Sequence, residues 1–158
     1  MKVTAIKLSK NPFNAVKQKM AIQNSLRAAA EGARADFMVT TKTWSHQPQF
    51  EVKVTATYSE VSTGDETYSF VTKGTRAHLI YPRRRKRLVF RGGKYSAKTS
   101  PGVIGSRSGS SGSGKIVFSK AVRHPGSKAR NFDSVIKQKW EKQFPILTQK
   151  AIAGAVGK

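Results

Sequence analysis

The apolar positions of the first forty residues follow a helical spacing. Residues 1–10, MKVTAIKLSK, alternate apolar and polar positions, which predicts a short strand or an arm. Asn11 and Pro12 then form a helix start, with Asn11 as the N-cap and Pro12 at the first helical position. The residues that recur mostly three or four apart are Phe13, Val16, Met20, Leu26, Ala30, Ala33 and Phe37. This pattern predicts one long helix from about 12 to 40.

The next segment changes to a period of two. QFEVKVTATYSE places Phe50, Val52 and Val54 on one face, and ETYSFVTKG carries Tyr68 and Phe70 at alternate positions. The linker between them contains Gly-Asp, so the two segments are predicted to form a hairpin. AHLIYP and RLVFRG predict two further strands joined by a tight RRRK turn, and KIVFSKAV predicts a last strand.

Residues 91–114 are rich in glycine and serine and predict a long flexible loop inside the domain, because the strand pattern resumes directly after it. Near the end of the chain, Phe132, Ile136, Trp140 and Phe144 recur every four residues, which predicts a helix with Asn131 as its N-cap. Pro145 should kink or break that helix, leaving the following residues as a second short helix or a frayed end.

Helix, strands and helix in this order predict the α+β class. We expect a single domain, residues 1–158, in which a long N-terminal helix and a C-terminal helix pack on one face of one antiparallel β-sheet. Residues 1–10 would be its arm, 91–114 its loop and 146–158 a C-terminal extension.

The charge of the chain is far from balanced. It has 30 Lys and Arg residues against 8 Asp and Glu, a net charge of +22, and there is no acidic residue between Glu66 and Asp133. Such a surface favours polyanionic partners, namely nucleic acid, an anionic membrane or an acidic protein. The absence of cysteine excludes disulfides and thiolate chemistry. No apolar run has the length of a membrane span or the form of a signal peptide.

No catalytic motif stands out, and we expect no enzyme, cofactor or metal. GSSGSGKI at 109–116 nearly spells a phosphate-binding loop, but Ile116 replaces the magnesium-binding Ser or Thr and the flanking strand and helix are missing. His46, His78 and His124 lack the spacing of a helical metal site, so each is interpreted as a hydrogen-bonded structural residue. Carboxylates are scarce, and no pair of them stands out for acid–base catalysis.

Two motifs combine a histidine with glycine, proline and clustered cations. They are GTRAHLIYPRRRKRLVF, residues 74–90, and HPGSKARNF, residues 124–132. Proline fixes φ and glycine admits a positive φ, so both motifs predict sharp corners of the chain. Gly74-Thr75 would turn between strands, and His124-Pro125-Gly126 would lead from a strand into the last helix, with Phe132 in the core. Histidines at such corners can bond to backbone or meet a neighbouring subunit.

Taken in order, these motifs resemble a family of tailed-phage neck proteins, the head–tail connector or tail-completion proteins, often described as minor tail components. The matching positions are Gly74, Thr75, His78, Ile80, Pro82, Leu88, Phe90, His124, Pro125, Gly126, Ala129, Arg130 and Phe132. TWSHQPQFEV, residues 43–52, is similar to the segment that follows the first helix in some members. The resemblance covers about residues 43–145, and the loop at 91–114 is longer than the family pattern.

The resemblance implies a non-enzymatic, six-fold ring in the neck of the virion, assembled in the host cytoplasm. Its partners would be head-closure or adaptor proteins, tail-terminator or tail-tube proteins, and double-stranded DNA in the channel, with no membrane. Candidate contacts to DNA or to an acidic partner are Arg76, Arg83, Arg84, Arg85, Lys86, Arg87, Arg91, Lys94, Lys98 and Arg107.

The alternative function is non-specific nucleic-acid binding, chromatin-like or ribosome-like. Only Tyr81 and Phe90 lie near the basic run, so base-stacking aromatics are not interleaved with it. Adhesion to an anionic membrane is a weaker alternative, because the basic run is not on an amphipathic helix.

Overall fold

The computed structural model describes residues 14–93, 96–109 and 112–156. In order, the elements are α1 (Ala15–Thr41), β1 (Glu51–Val54), β2 (Ser59–Ser62), α2 (Glu66–Lys73), β3 (His78–Ile80), β4 (Leu88–Arg91), β5 (Ile116–Ser119), β6 (Val122–His124) and α3 (Phe132–Val156). The predicted α+β class is confirmed. The predicted arm at 1–10 and the start at Asn11 and Pro12 lie outside the described residues.

Helix α1 is capped by the side chain of Asn14, which accepts hydrogen bonds from the backbone N–H groups of Val16 and Lys17. From Ala21 onward one face of α1 is buried, including Leu26, Ala30 and Phe37, as the predicted stripe requires. Val16 and Met20, which belong to the same predicted stripe, are exposed. The long helix therefore leaves apolar surface near its N-terminus uncovered.

The strands do not form the single sheet that we expected. They form three antiparallel pairs, β1 with β2, β3 with β6 and β4 with β5. Only β1 and β2 pack against a helix, α1, and the main helical contact is between α1 and α3. The helices therefore cover each other and the first hairpin, because their apolar stripes are complementary and the remaining strands do not reach them.

The second half of the predicted hairpin is a helix. Asp65 caps α2 by accepting a hydrogen bond from the N–H of Tyr68 at 2.6 Å, and Gly74 ends it with φ +76°. Tyr68 and Thr72, four residues apart, form its buried face, whereas Phe70 is exposed. The alternation of Tyr68 and Phe70 was thus misleading. The turn of the β1–β2 hairpin lies at 55–58, not at the predicted Gly64-Asp65.

The core lies where α1, α2, β1 and α3 meet. It consists of Phe37, Phe50, Tyr68, Phe132 and Ile136, with Trp44 and Trp140 packed against it. Phe50 stacks on Phe37 at 5.1 Å between ring centroids, and Tyr68 meets Phe50 edge-on at 5.3 Å. Phe132 and Ile136 are each 1 % exposed, as predicted for the start of α3.

Two features of α3 differ from the prediction. The helix continues through Pro145 to Val156, so residues 146–156 extend one helix and do not form a separate piece. Asn131 does not adopt the extended N-cap conformation, because its φ is +52°, a left-handed value that asparagine tolerates. Its carbonyl still accepts the first helical hydrogen bond, from the N–H of Val135 at 3.2 Å.

Tyr68 makes stability depend on alkaline pH. Burial raises the pKa of its phenol to about 12 from 10.0, and the poorly aligned Thr72 hydroxyl offsets only part of that rise. Because the unfolded phenol ionises near pH 10, the folded state holds more protons between pH 10 and 12. We expect the free energy of unfolding to fall over this window by up to about 2–3 kcal/mol.

This loss is measured by urea titrations from pH 9 to 12, with Tyr68→Phe as the control that lacks the ionising group. The difference in stability between the two proteins should shift across the window. An equal pH dependence of both would contradict the assignment.

Candidate nucleic-acid and partner interface

The four strands β3 to β6 form two antiparallel pairs that follow each other along the chain, β3 with β6 and β4 with β5. His78 pairs with His124 and Ile80 with Val122, and further out Leu88 pairs with Ser119 and Arg91 with Ile116. The two pairings are nested, so the chain runs out through β3 and β4 and returns through β5 and β6. We call residues 75–91 and 116–127 the β-ribbon. AHLIYP and RLVFRG are therefore consecutive parts of one side and do not pair with each other as a hairpin.

The basic residues bulge out of the ribbon. Residues 81–87, YPRRRKR, separate β3 from β4, whereas only Lys120 and Ala121 separate β5 from β6 on the returning side. Within this short connection the Ser119 hydroxyl donates to the Ala121 carbonyl at 2.5 Å. We call residues 81–87 the basic bulge. All five of its cations, Arg83, Arg84, Arg85, Lys86 and Arg87, are exposed.

The acidic residues of the chain lie elsewhere. Every carboxylate belongs to the helices, to β1 and β2 or to the cap of α2, and none lies between Glu66 and Asp133. Among the described residues, the ion pairs with carboxylates involve Arg34, His46, Lys137 and Lys139 only. The basic bulge is therefore an uncompensated cationic surface, which attracts anions at short range.

The two histidine motifs meet at the base of the ribbon. Thr75 and Ser127 exchange backbone hydrogen bonds, 3.0 Å each, and their hydroxyls lie 3.1 Å apart. The N–H groups of Arg130 and Asn131 both donate to the Thr72 carbonyl at the end of α2. We call Gly74, Thr75, Gly126 and Ser127 the corner. It connects the ribbon to the helices, so Gly74 turns from a helix into a strand and not between two strands as predicted.

Glycine is required at the corner for space as well as for conformation. Gly126 has φ +88°, and a Cβ there would lie 2.3 Å from the Thr75 carbonyl oxygen. At Gly74, with φ +76°, a Cβ would lie 2.6 Å from the Ser127 carbonyl oxygen. The two segments of the chain that meet at the corner therefore approach each other more closely than a residue with a side chain would allow.

We expect Gly126→Ala to lower the free energy of unfolding by about 2–5 kcal/mol, because left-handed strain of about 1–2 kcal/mol is joined by a steric clash that costs about 1–3 kcal/mol. The matched control is Gly102→Ala, which has φ +70° but open space around its Cβ position and should cost only the strain. Both are measured by urea denaturation. Equal losses would show that close packing at the corner contributes nothing.

His78 and His124 face each other across the ribbon, with ring centroids 5.1 Å apart. Nδ1 of His78 lies 2.8 Å from the Arg76 carbonyl oxygen, so this nitrogen carries the proton. Nδ1 of His124 accepts a hydrogen bond from the N–H of Gly126 at 3.0 Å, so its neutral ring is protonated at Nε2. Both rings thus bond to backbone at the corner, which is the structural role that the sequence indicated.

His46 lies in a different position, against the carboxylate of Asp65. The hydrogen bond from the Tyr68 N–H is the main cause that lowers the pKa of Asp65, partly opposed by burial, and His46 lowers it further. Sequence reasoning missed this pair because nineteen residues separate the two side chains. The role of Asp65 as an N-cap could have been predicted from the sequence, because Asp followed by Glu66 is a common start of a helix.

All three histidines line one groove between α2 and the base of the ribbon, with a volume of about 1020 Å³. Trp44 and Phe70 supply apolar lining. The cations Lys98 and Arg130 also lie on the groove. The described part of the chain contains no group of three or more His, Cys, Asp or Glu side chains that could hold a metal ion. The groove therefore offers a partly cationic, partly apolar surface.

The segment 96–109 of the Gly/Ser-rich loop contacts residues at the ends of the helices. The Gly105 N–H donates to the Thr40 hydroxyl at 3.1 Å, and the Gly102 N–H donates to the Arg130 carbonyl at 3.0 Å. Arg107 closes this segment, since its Nε donates to Ala97 and its N–H to Lys98. Thr99 is 4 % exposed. This segment of the loop therefore covers Thr40 near the end of α1.

The predicted mobility of residues 91–114 stays a prediction, but at three of these residues the contacts lead us to expect the opposite. We expect slow amide hydrogen exchange at Gly102, Gly105 and Arg107, because their N–H groups are bonded within the fold. The exposed Ser108 should exchange much faster. Uniformly fast exchange from 96 to 109 would contradict the contacts described.

The ten candidate cations are thus distributed over separate elements. Arg76 is exposed at the corner, the five cations of the basic bulge are together, and Arg91 is exposed at the end of β4. Lys98 and Arg107 belong to the loop segment that packs on the helices. Lys94 lies outside the described residues. Three further motif positions are also placed by the structure. Pro82 lies in the basic bulge, and Pro125 lies in the exposed turn after β6. Ala129 lies beside Gly74.

No protein-family model, no curated protein and no solved structure matches this chain. Within the described ranges, no helix combines the length and the apolar character needed to cross a bilayer.

Proposed function

We propose that this chain is a structural subunit of a tailed-phage neck, which forms a ring that joins the capsid to the tail. The observation that carries the proposal is the β-ribbon, which extends from a helical body and combines an uncompensated basic bulge with exposed apolar strands. A subunit between a DNA-filled capsid and a tail needs such a double surface, because it meets DNA or an acidic ring on one side and protein neighbours on the other.

The corner supports this proposal, because it fixes the ribbon to α2 and α3 through backbone hydrogen bonds. The family-like residues of both motifs meet there, although they are separated by about fifty residues in the sequence. Because the β-ribbon is fixed to the helices, the basic bulge has a defined position on the subunit. A closed ring requires such defined contacts between its subunits.

The test is localisation in the assembled particle. Gly64 lies in the connection between β2 and α2, and nothing lies within 4 Å of its Cβ position, so a short peptide tag can be inserted there. We expect electron cryomicroscopy of the tagged phage to show extra density at the head–tail junction. Absence of the tag from mature particles, or its presence away from the neck, would refute the proposal.

A second candidate function is non-specific nucleic-acid binding outside a virion. It is favoured by the basic bulge, whose five cations are exposed and lack salt bridges within the described chain. Backbone phosphates are the natural counter-charges for such a cluster, and the binding would depend steeply on salt. DNA binding without any neck localisation would favour this second function.

A further inference from the structure

One face of the β-ribbon forms a side of the groove that the three histidines line, which we call the histidine groove. His78 and His124 are register partners, and Ile80 lies two residues further along β3, so these three side chains share one face. All three line the groove. Leu79 and Arg123 pair on the opposite face and are not among its lining residues. This side of the groove therefore presents two imidazoles and an aliphatic group.

Helix α2 supplies an apolar wall of the histidine groove. Phe70 and Val71 lie three and four residues after Thr67, so the three side chains share one side of the helix, and all of them line the groove. Phe70 is 56 % exposed. Trp44 adds a second aromatic side chain to the lining. An exposed aromatic ring in a concave site offers apolar area that a ligand can cover.

Two cations that are adjacent in the fold complete the lining. Nη1 of Arg130 donates to the carbonyl of Thr99 at 2.8 Å, and Lys98 is the residue before Thr99. Lys98 and Arg130 both line the histidine groove and are only partly exposed. Neither forms a salt bridge with the described residues. Their charge is therefore open to an anionic group that enters the groove.

The charges around the histidine groove favour an anion. No carboxylate is among the described residues that line it. Asp65 contacts His46, which lines the groove, but Asp65 is not itself part of the lining. The neutral ring of His124 keeps its Nε2–H group as a further donor, because its Nδ1 accepts from Gly126. Cations and donors that are partly withdrawn from water attract a carboxylate more strongly than fully exposed ones.

We propose that the histidine groove binds a short segment of an acidic partner protein, in which an aspartate or glutamate lies next to an aliphatic or aromatic residue. The carboxylate of this segment binds Lys98 and Arg130, and its apolar side chain covers Phe70 and Ile80. The groove volume of about 1020 Å³ lies at the upper end of ordinary ligand clefts, about 300–1,000 Å³. The groove therefore accommodates a few side chains and not a folded domain or a DNA duplex.

Charge and lining favour this occupant over two others. A second copy of this chain carries the same net charge of +22, so two copies repel each other as they approach. A single-stranded nucleic acid needs cations along the whole path of its backbone, whereas the described lining has two cations, which are adjacent. The histidine groove does not include the residues of the basic bulge, and its assignment does not depend on the proposed neck function.

The experiment screens an array of short synthetic peptides of random sequence with the full chain and with charge-matched variants. Phe70→Glu and Lys98→Glu alter the groove, whereas Phe118→Glu and Lys120→Glu make the same changes of charge at exposed positions of the β-ribbon outside it. We expect a set of peptides that bind the wild type and both control variants equally well. Each groove variant should bind this set with an affinity lower by about tenfold or more, measured by isothermal titration calorimetry at about 0.15 M ionic strength. These peptides should contain Asp or Glu beside an aliphatic or aromatic residue.

Equal losses in the groove variants and the control variants would overturn the proposal, because only net charge would then matter. Absence of any groove-dependent peptide, or groove-dependent peptides without acidic residues, would overturn it too. Oligonucleotide binding that depends on Phe70 and Lys98 would assign the groove to nucleic acid instead, and self-association that Phe70→Glu abolishes would assign it to a second copy. Circular dichroism shows which variants are folded, and either groove variant alone decides the outcome if the other does not fold.

Discussion

Replacement of the five cations of the basic bulge by glutamine is expected to weaken binding to duplex DNA by about 10³-fold at 0.1 M salt. The side chains of Arg83, Arg84, Arg85, Lys86 and Arg87 are exposed and have no acidic neighbour in the sequence for more than fifteen residues on either side. Each cation that contacts a phosphate contributes about one to the slope of log K against log salt, so the slope should fall by about 4–5. Gel-shift titrations at two salt concentrations measure both quantities.

The control removes the same charge from the helices. Lys17, Lys19, Arg27, Lys142 and Lys150 are exposed and form no salt bridge with the described residues, so five glutamines there reduce the net charge equally. Their loss should change the affinity much less. Equal losses in both variants would show that only net charge matters. Absence of binding by the wild type at low salt would instead assign the basic bulge to an acidic protein partner.

Gly32→Ala is expected to destabilise the protein by about 3 kcal/mol, although alanine is normally the better helix former by about 1 kcal/mol. A Cβ at this position in α1 would lie 2.0 Å from the Trp140 indole of α3. That indole is held in place by its Nε1–H, which donates to Asp36 at 2.8 Å, and Lys139 donates to the same carboxylate at 2.7 Å. Trp140 must therefore move and lose a hydrogen bond to a charged group, at about 1.5–3 kcal/mol, or the helices must separate.

Gly154→Ala is the matched control, because Gly154 also lies within a helix and has no atom within 4 Å of its Cβ position. It should leave the stability unchanged or raise it slightly. Thermal and urea denaturation measure both variants, and the Gly32→Ala change corresponds to a fall in Tm of roughly 6–12 °C for a chain of this size. In a Trp140→Leu background the Gly32→Ala cost should largely disappear. A persistent cost there would mean that the contact with Trp140 is not its cause.

The long helices were predictable because their apolar stripes coincide with strong local preferences. Leu26, Ala30 and Phe37 in α1 and Phe132 and Ile136 in α3 are buried as their spacing predicts. Helix α2 was missed because Tyr68 and Phe70 alternate as in a strand, although Asp65 and Gly74 are typical helix boundaries. In a segment of eight residues, the boundaries carried more information than the period.

The candidate site was predictable in its parts and not in its arrangement. The exposed cations, the positive φ of Gly126 and the burial of Phe132 follow from residue type and local motif. The nested pairing of 78–91 with 116–124 does not, because a hairpin between neighbouring strands and a long return connection have the same local pattern. The loop contacts at Gly105 and Arg107 could not be predicted from the sequence either, because polar loop residues have no hydrophobic periodicity.

The sequence by itself determined the charge separation, the sharp turn at Gly126 and the two long helices α1 and α3, because these depend on composition, on the φ of glycine and proline and on apolar spacing along a helix. Only the tertiary structure decided which strands pair, that the basic bulge lies within the β-ribbon, and that the three histidines line one groove. These features depend on contacts between residues that are distant in the chain, and no local preference selects such contacts.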